Sequence, residues 1–170
     1  ISDGKGFTKV PEILPIPTMI NVLGLTGITA YYGLLDVGQP KEGDTVVVSG
    51  AAGATGSVVA QIAKIKGCNV IGIAGGEEKC AWLEECGLDH VIDYKATKAT
   101  KEVGRIAKNG IDIYFDNVGG PLLEAVLFKI NLNARIVICG AISNYASTDM
   151  PVGPRNCLLY TSPSPRDYPG

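Results

Sequence analysis

The sequence predicts an α/β protein with a doubly wound parallel sheet. Five short apolar runs alternate with segments of helical spacing between residues 45 and 139, an alternation typical of parallel strands joined by crossover helices. The first run, Thr45–Val48, leads into a glycine-rich turn and then into apolar residues at helical spacing. Such a strand, turn and helix unit commonly binds phosphate at the helix N-terminus.

The predicted strands are short apolar runs bounded by glycine, proline or polar residues. They cover residues 45–48, 69–74, 90–94, 111–115 and 135–139. In the dinucleotide-binding strand order 3-2-1-4-5-6 these runs fill five of six places. A sixth strand is expected after Ala141, but no apolar run follows there.

The predicted helices are marked by apolar spacing and by the residues at their ends. They cover 18–35, the segment after Gly56, 77–86, 98–108 and 121–130. Glycines interrupt the first region and weaken its helical propensity. Gly87 is a favoured residue just past a helix C-terminus, and Pro121 suits the first turn of the last helix.

Composition indicates three segments in the chain. Residues 1–17 are rich in glycine and proline without apolar periodicity, which predicts a linker arriving from an upstream domain. Residues 18–156 carry the alternating pattern of one domain. Residues 157–170 form a tail rich in proline and serine, which we interpret as non-native sequence.

The overall composition gives no reason to expect nucleic acid or a membrane as partner. The 170 residues carry a formal net charge of −2, with 46% hydrophobic and 19% charged residues, and no apolar run is long enough to span a bilayer. We therefore expect a cytoplasmic protein. The basic residues between 95 and 108 are interpreted as a solvated helix face, because no aromatic residues are interleaved with them to stack on bases.

Neither a disulfide framework nor a metal site is expected. The five cysteines are odd in number and contain no CxxC pair. The single histidine, His90, has no partner at metal-ligand spacing and is interpreted as structural.

The turn after the first strand has the spacing Ala51-x-Gly53-x-x-Gly56. Gly53 has no Cβ, so backbone can approach a pyrophosphate, and Gly56 lets the helix pack close to the strand. The candidate phosphate-binding residues are Gly53, Ala54, Thr55 and Gly56. A glycine-rich turn without a ligand is the alternative, because this motif alone has low specificity.

Five motifs in this order resemble the zinc-independent medium-chain dehydrogenases/reductases. They lie at residues 25–35, 51–59, 74–79, 115–120 and 139–145. Within that family the chain is most similar to the branch of prostaglandin reductase and bacterial curcumin reductase. The resemblance covers about Ser2 to Asn156 and implies a Rossmann domain.

The resemblance implies an enzyme that uses NADPH to reduce the C=C bond of an α,β-unsaturated ketone or aldehyde. Members of the family carry an N-terminal GroES-like catalytic domain before this region and a return of that domain after it. This chain contains neither, so the resemblance makes it the cofactor-binding part of a longer enzyme, which is expected to form a homodimer and which would be inactive without the missing part.

NADPH rather than NADH is expected from the segment after the second strand. Enzymes that choose NAD usually carry an acidic residue there, whereas this chain has Ala74-Gly75-Gly76. The resemblance implies that Lys79 binds the 2'-phosphate and that Tyr94 contacts the cofactor. The alternatives are a solvated helix start for Lys79 and a sheet-end aromatic for Tyr94.

Further candidate residues follow the fourth and fifth strands. Asn117 lies where ligands enter doubly wound sheets, although an asparagine in a glycine-rich turn is more often structural. Tyr145 is implied to contact the cofactor, and its hydroxyl is a candidate donor to the enolate oxygen that hydride delivery creates. The motif before it adds the cofactor-binding candidates Cys139, Gly140, Ala141, Ile142 and Ser143.

The sequence is also compatible with two other functions. A quinone reductase shares the fold and the cofactor, and its acceptor class differs. A non-catalytic nucleotide-binding module is the alternative outside the enzymes, since a fold alone does not fix function.

Overall fold

The computed structural model describes residues 15–146, 148, 153 and 154. Its strands are β1 (Thr45–Ser49), β2 (Asn69–Ala74), β3 (His90–Asp93), β4 (Ile111–Asp116) and β5 (Ile130–Ile138). Its α-helices are α1 (Ile16–Ile20), α2 (Leu25–Tyr32), α3 (Ala54–Ile65), α4 (Glu77–Glu85), α5 (Ala99–Ile106) and α6 (Gly120–Leu127). A π-helical turn, Gly33–Gly38, continues α2, and a 3-10 turn, Ile142–Asn144, follows β5.

The sheet has the order β3-β2-β1-β4-β5, and every neighbouring pair is parallel. This confirms the predicted doubly wound fold. Because all strands run the same way, their carboxyl ends meet at one edge of the sheet, and the change of winding direction lies between β1 and β4. The turns that follow the strands therefore converge there.

Helices cover both faces of the sheet. All five residues of β1 are buried, and successive side chains of the strand point to opposite faces. Val46 and Val48 pack in one core cluster with Val59 of α3, and Val47 packs in another with Val103 of α5. The two-sided burial explains why β1 is a continuous apolar run rather than an alternating one.

The predicted boundary between the last helix and the last strand is wrong. The helix expected at 121–130 ends at Leu127, and β5 begins at Ile130 rather than at residue 135. Ile111 pairs with Ile130 but Ile113 pairs with Arg135, so residues 131–134 bulge opposite a single residue of β4. The bulge breaks the alternation by which a strand is recognised in sequence.

Two side chains hold this bulge at the amino end of β4. Asn131 Nδ2 donates to Asp112 Oδ1 at 2.7 Å, and the Thr45 backbone N–H donates to Asp112 Oδ2 at 2.8 Å. Asn133 adopts a left-handed conformation with φ of 63°, which asparagine tolerates better than most residues. Asp112 thus joins β1, β4 and β5 at the end of the sheet opposite the converging turns.

The region predicted as helical at 18–35 is divided. Helix α1 ends at Ile20 and α2 begins at Leu25, so the chain between them turns, as Gly24 suggests. Helix α1 also takes in Ile16 and Pro17, which the sequence places in the linker. The rest of that linker up to residue 14, and the predicted tail at 157–170, lie outside the described residues.

Within the described ranges, no helix combines the length and the apolar character needed to cross a membrane.

Candidate dinucleotide site

A cavity of about 750 Å³ opens where the turns after the five strands converge. Its lining includes Gly53, Ala54, Thr55, Gly56, Lys79, Tyr94, Asn117, Ile142 and Ser143, all of them sequence candidates. The candidates Cys139, Gly140, Ala141 and Tyr145 are not among the lining residues. The structure therefore gathers the glycine turn, the lysine and the asparagine into one concave surface.

The glycine turn presents the N-terminus of α3 to this cavity. Gly53 is the residue before the helix, and no side chain caps the helix there. The first backbone N–H groups of a helix have no partner within it, so those of Ala54, Thr55 and Gly56 are available to a bound anion. With the positive end of the helix dipole, they form a site suited to a pyrophosphate.

Gly53 and Gly56 have different roles in this turn. A Cβ on Gly56 would overlap the carbonyl oxygen of Gly50 and lie 2.9 Å from Ala51 Cα. A Cβ on Gly53 would meet only the Gly50 carbonyl oxygen, at 3.1 Å. Gly56 is thus required by the packing of α3 on the end of β1, whereas Gly53 keeps the cavity wall open.

Lys79 supplies the positive charge of the cavity. It lies in the first turn of α4 and is the only residue with a charged side chain among the described lining residues. The neighbouring Ala74 and Gly75 also line the cavity, in the place where NAD enzymes carry an acidic residue. The arrangement favours a ribose that carries a 2'-phosphate over one with a free 2'-hydroxyl.

Tyr94 packs directly on the backbone of Gly75. A Cβ at Gly75 would lie 2.6 Å from the tyrosine ring, so a larger residue there would displace the ring. Asp93 fixes this arrangement, because its Oδ1 accepts hydrogen bonds from the N–H groups of Gly76 at 3.0 Å and Lys95 at 2.8 Å. These bonds, that from Gly76 foremost, lower the pKa of Asp93 and so favour its ionised form.

Asn117 lines the cavity while it is also tied to β1. Its Nδ2 donates to the Ser49 carbonyl oxygen at 2.7 Å, and its backbone N–H donates to Ser49 Oγ at 2.8 Å. The first bond uses one of the two amide hydrogens. The side chain is therefore held in a fixed orientation at the cavity wall, as the structural interpretation expects, and ligand binding by Asn117 stays a prediction.

The segment after β5 reaches the cavity through Ile142 and Ser143. The Ser143 hydroxyl donates to the Val118 carbonyl oxygen at 2.7 Å, and the Ser143 backbone N–H donates to the same oxygen at 3.1 Å. The Ile142 N–H donates to the Asn117 carbonyl oxygen at 3.3 Å. This segment is thus fastened to the turn that follows β4.

Cys139 and Tyr145 lie at the outer side of that segment. Desolvation, with the negative charge of Asp116, raises the pKa of the Cys139 thiol, so the thiol is protonated at neutral pH. The Tyr145 side chain is 71% exposed, and its hydroxyl oxygen accepts a hydrogen bond from the Ala141 N–H at 3.2 Å. As an acceptor in that bond, the hydroxyl keeps its own proton to donate.

Four of the lining residues that were not candidates from the sequence belong to two helices. They stand at the starts of α5 and α6: Ala99, Thr100, Pro121 and Leu122. Only their position in the sequence could have indicated them, because a helix that follows a parallel strand begins at the edge of the sheet where ligands enter. Their residue types carry no chemical signature of a ligand.

No metal-binding group occurs in the part of the chain that the structure describes, where no three His, Cys, Asp or Glu side chains are placed to hold an ion. The cysteines in that part are free thiols: Cys68, Cys80, Cys86 and Cys139.

Comparison with known proteins decides the family. The family profile of zinc-binding dehydrogenases matches residues 54–163, which include Gly56, Lys79 and Asn117. The chain belongs to the zinc-binding dehydrogenase family. This confirms the predicted resemblance to medium-chain dehydrogenases/reductases.

Members of this dehydrogenase family that are similar to the chain place it in the predicted branch. It is 50% identical to prostaglandin reductase 1 of Mus musculus over 160 residues, which cover 91% of the chain and 49% of the relative. It is 46% identical to the NADPH-dependent curcumin reductase of Escherichia coli over 156 residues, covering 91% of the chain and 45% of the relative. The chain thus spans about half the length of the curated relatives it matches.

A solved structure supports the same placement. CurA from Vibrio vulnificus, solved in complex with NADPH, superposes with a TM-score of 0.82 and is 51% identical. The match covers 93% of this chain and 48% of CurA.

Proposed function

We propose that this chain is the cofactor-binding part of an NADPH-dependent reductase that acts on the C=C bond of α,β-unsaturated ketones or aldehydes. The observation that carries the proposal is the cavity, in which Lys79 is the single charged residue among the described lining residues and no acidic side chain is among them. The names of the relatives support both the cofactor and the reaction.

The cavity residues fit the parts of the dinucleotide. The N–H groups at the start of α3 would hold the pyrophosphate, and Lys79 with Tyr94 would hold the 2'-phosphate and its ribose. Asn117, Ile142 and Ser143 would position the nicotinamide end. When bound, NADPH supplies the hydride; the chain's residues orient it and limit the access of water.

The substrate side of the pocket is proposed to come from sequence outside this chain. The cavity is a single concave surface, and hydride transfer needs a second wall that holds the enone against the nicotinamide. In this proposal, residues 18–156 form the cofactor domain, and the unmatched half of the relatives' length corresponds to the catalytic domain. The whole enzyme would take a small-molecule enone and form a homodimer.

The acceptor class is tested in a protein that carries this chain within the full length of its relatives. The oxidation of NADPH is followed with a 2-alkenone, a 2-alkenal and a quinone at equal concentrations. We expect the greatest kcat/KM with the two enones. A greater kcat/KM with the quinone would instead make the protein a quinone reductase, and no oxidation with any acceptor would favour a non-catalytic nucleotide-binding module.

Tyr145→Phe in that protein separates catalysis from positioning. If the hydroxyl donates to the developing enolate, we expect kcat to fall about 10- to 100-fold with little change in NADPH affinity. If the hydroxyl only positions the segment through its bond with Ala141, cofactor affinity weakens first. Unchanged values of both quantities would remove Tyr145 from the site.

A further inference from the structure

Asp116, the last residue of β4, is buried at the centre of a hydrogen-bond network that the proposed function does not use. The residue is 1% exposed. Its Oδ1 accepts bonds from the hydroxyls of Ser49 at 2.9 Å and Tyr114 at 2.8 Å, and from the N–H groups of Val118 at 2.9 Å and Gly119 at 2.8 Å. One carboxylate oxygen therefore holds the turn whose residues line the cavity.

The other bonds of Asp116 reach the neighbouring strands. Ser49 Oγ donates to Asp116 Oδ1 and accepts from the Asn117 N–H at 2.8 Å, so the serine links the carboxylate to the cavity asparagine. The Asp116 backbone carbonyl accepts from the N–H groups of Cys139 at 2.9 Å and Gly140 at 3.0 Å. The ends of β1, β4 and β5 thus meet at this residue.

The second carboxylate oxygen of Asp116, Oδ2, is also buried and contacts no hydrogen-bond donor of the described residues. All the side-chain bonds pass through Oδ1. Tyr114 remains a donor at neutral pH, since burial and then the charge of Asp116 raise the pKa of its hydroxyl. The hydrogen bonds of the Asp116 side chain therefore all lie on the side of the cavity turn.

The cavity has two ends that the strand order keeps apart. Gly75, Lys79 and Tyr94 follow β2 and β3, whereas Asn117 to Gly119 follow β4 on the other side of β1. Neighbouring strands are about 4.8 Å apart, so β2 and β4 lie roughly 10 Å from each other. The Asp116 network contacts only the second end.

We infer that Asp116 is a positioning residue, which sets the Asn117–Gly119 turn for the nicotinamide half of the dinucleotide and leaves the adenosine half unaffected. The inference rests on the proposed function, because it assigns the two ends of the same cavity. It predicts a loss of affinity that depends on which half of the ligand is present.

The test compares two ligands on the 170-residue chain. NADPH occupies both ends of the cavity, whereas 2',5'-ADP carries the adenosine and its phosphates but no nicotinamide. In Asp116→Asn the amide oxygen takes the place of Oδ1 without its charge, which weakens the bonds from its four donors, and the amide nitrogen takes the buried place of Oδ2. We expect the affinity for NADPH to fall about tenfold and that for 2',5'-ADP to stay within about twofold, both by isothermal titration calorimetry.

Asp112→Asn is the matched control. Asp112 is on the same strand and also accepts two hydrogen bonds, from Thr45 and Asn131, but at the amino end of the sheet. We expect this variant to bind both ligands like the unaltered chain, even where its thermal stability falls. Ser49→Ala, which removes only the bridging hydroxyl, decides the question if Asp116→Asn does not fold, and should show the same selective loss.

The outcomes separate the two proposals. An unaltered chain that binds neither ligand overturns the proposed function and this inference with it. An unaltered chain that binds both, with Asp116→Asn and Ser49→Ala variants that bind both as tightly or lose both in parallel, overturns the inference alone. A selective loss of NADPH in Asp112→Asn would overturn it as well, because the effect would not belong to Asp116.

Discussion

Replacing Gly56 by alanine is expected to lower the free energy of unfolding by about 3 kcal/mol. The added Cβ would overlap the Gly50 carbonyl oxygen and press on Ala51, both of them backbone groups that cannot rotate away. Helix α3 would have to move off the end of β1, where Val59 and Ala60 are completely buried. Urea denaturation followed by circular dichroism measures the change.

Gly53→Ala is the matched control for this prediction. It adds the same methyl group to the same turn, where a Cβ lies 3.1 Å from the Gly50 carbonyl oxygen and the backbone is extended with φ of −80°. We expect its free energy of unfolding to change by less than about 1 kcal/mol. Equal stability of the Gly56→Ala and Gly53→Ala variants would contradict the close helix-strand packing.

Gly53→Val is expected to lose about a hundredfold in NADPH affinity, which corresponds to about 2.7 kcal/mol. Gly53 precedes the N–H groups that would bind the pyrophosphate, and a branched side chain there would occupy the space that the anion needs. Fluorescence titration of NADPH on the folded variant measures the loss. A folded Gly53→Val protein that binds NADPH normally would show that the turn is only structural.

The parallel sheet could be predicted from the sequence because each strand and each crossover helix has a local sequence pattern. The β-branched run Thr45–Val48 and the glycine turn after it are continuous in the chain, and their physical meaning depends on neighbours within a few residues. The prediction that Gly56 lets the helix pack close to the strand is confirmed, because a Cβ added there would overlap backbone atoms of Gly50 and Ala51. Lys79 and Asn117 each come soon after a strand in the chain, so both were correctly expected at the carboxyl edge of the sheet.

Features that depend on distant residues could not be predicted. The start of β5 was missed because a bulge between Ile130 and Arg135 conceals the strand alternation. Asp116 had no assigned role because its partner Ser49 is 67 residues away in the chain. The cavity contacts of Thr100 and Leu122 follow from how α5 and α6 dock, which their own residue types do not specify.

In the proposed function, the cavity selects NADPH over NADH through the charge of Lys79. The direct measurement is a parallel titration of NADPH and NADH into the unaltered chain and into Lys79→Ala. We expect the unaltered chain to prefer NADPH, and Lys79→Ala to lose about tenfold or more in NADPH affinity with little change for NADH, since the lost bond is to a charged phosphate. Equal losses for the two cofactors, or an unaltered chain that binds both alike, would contradict selection of NADPH by Lys79.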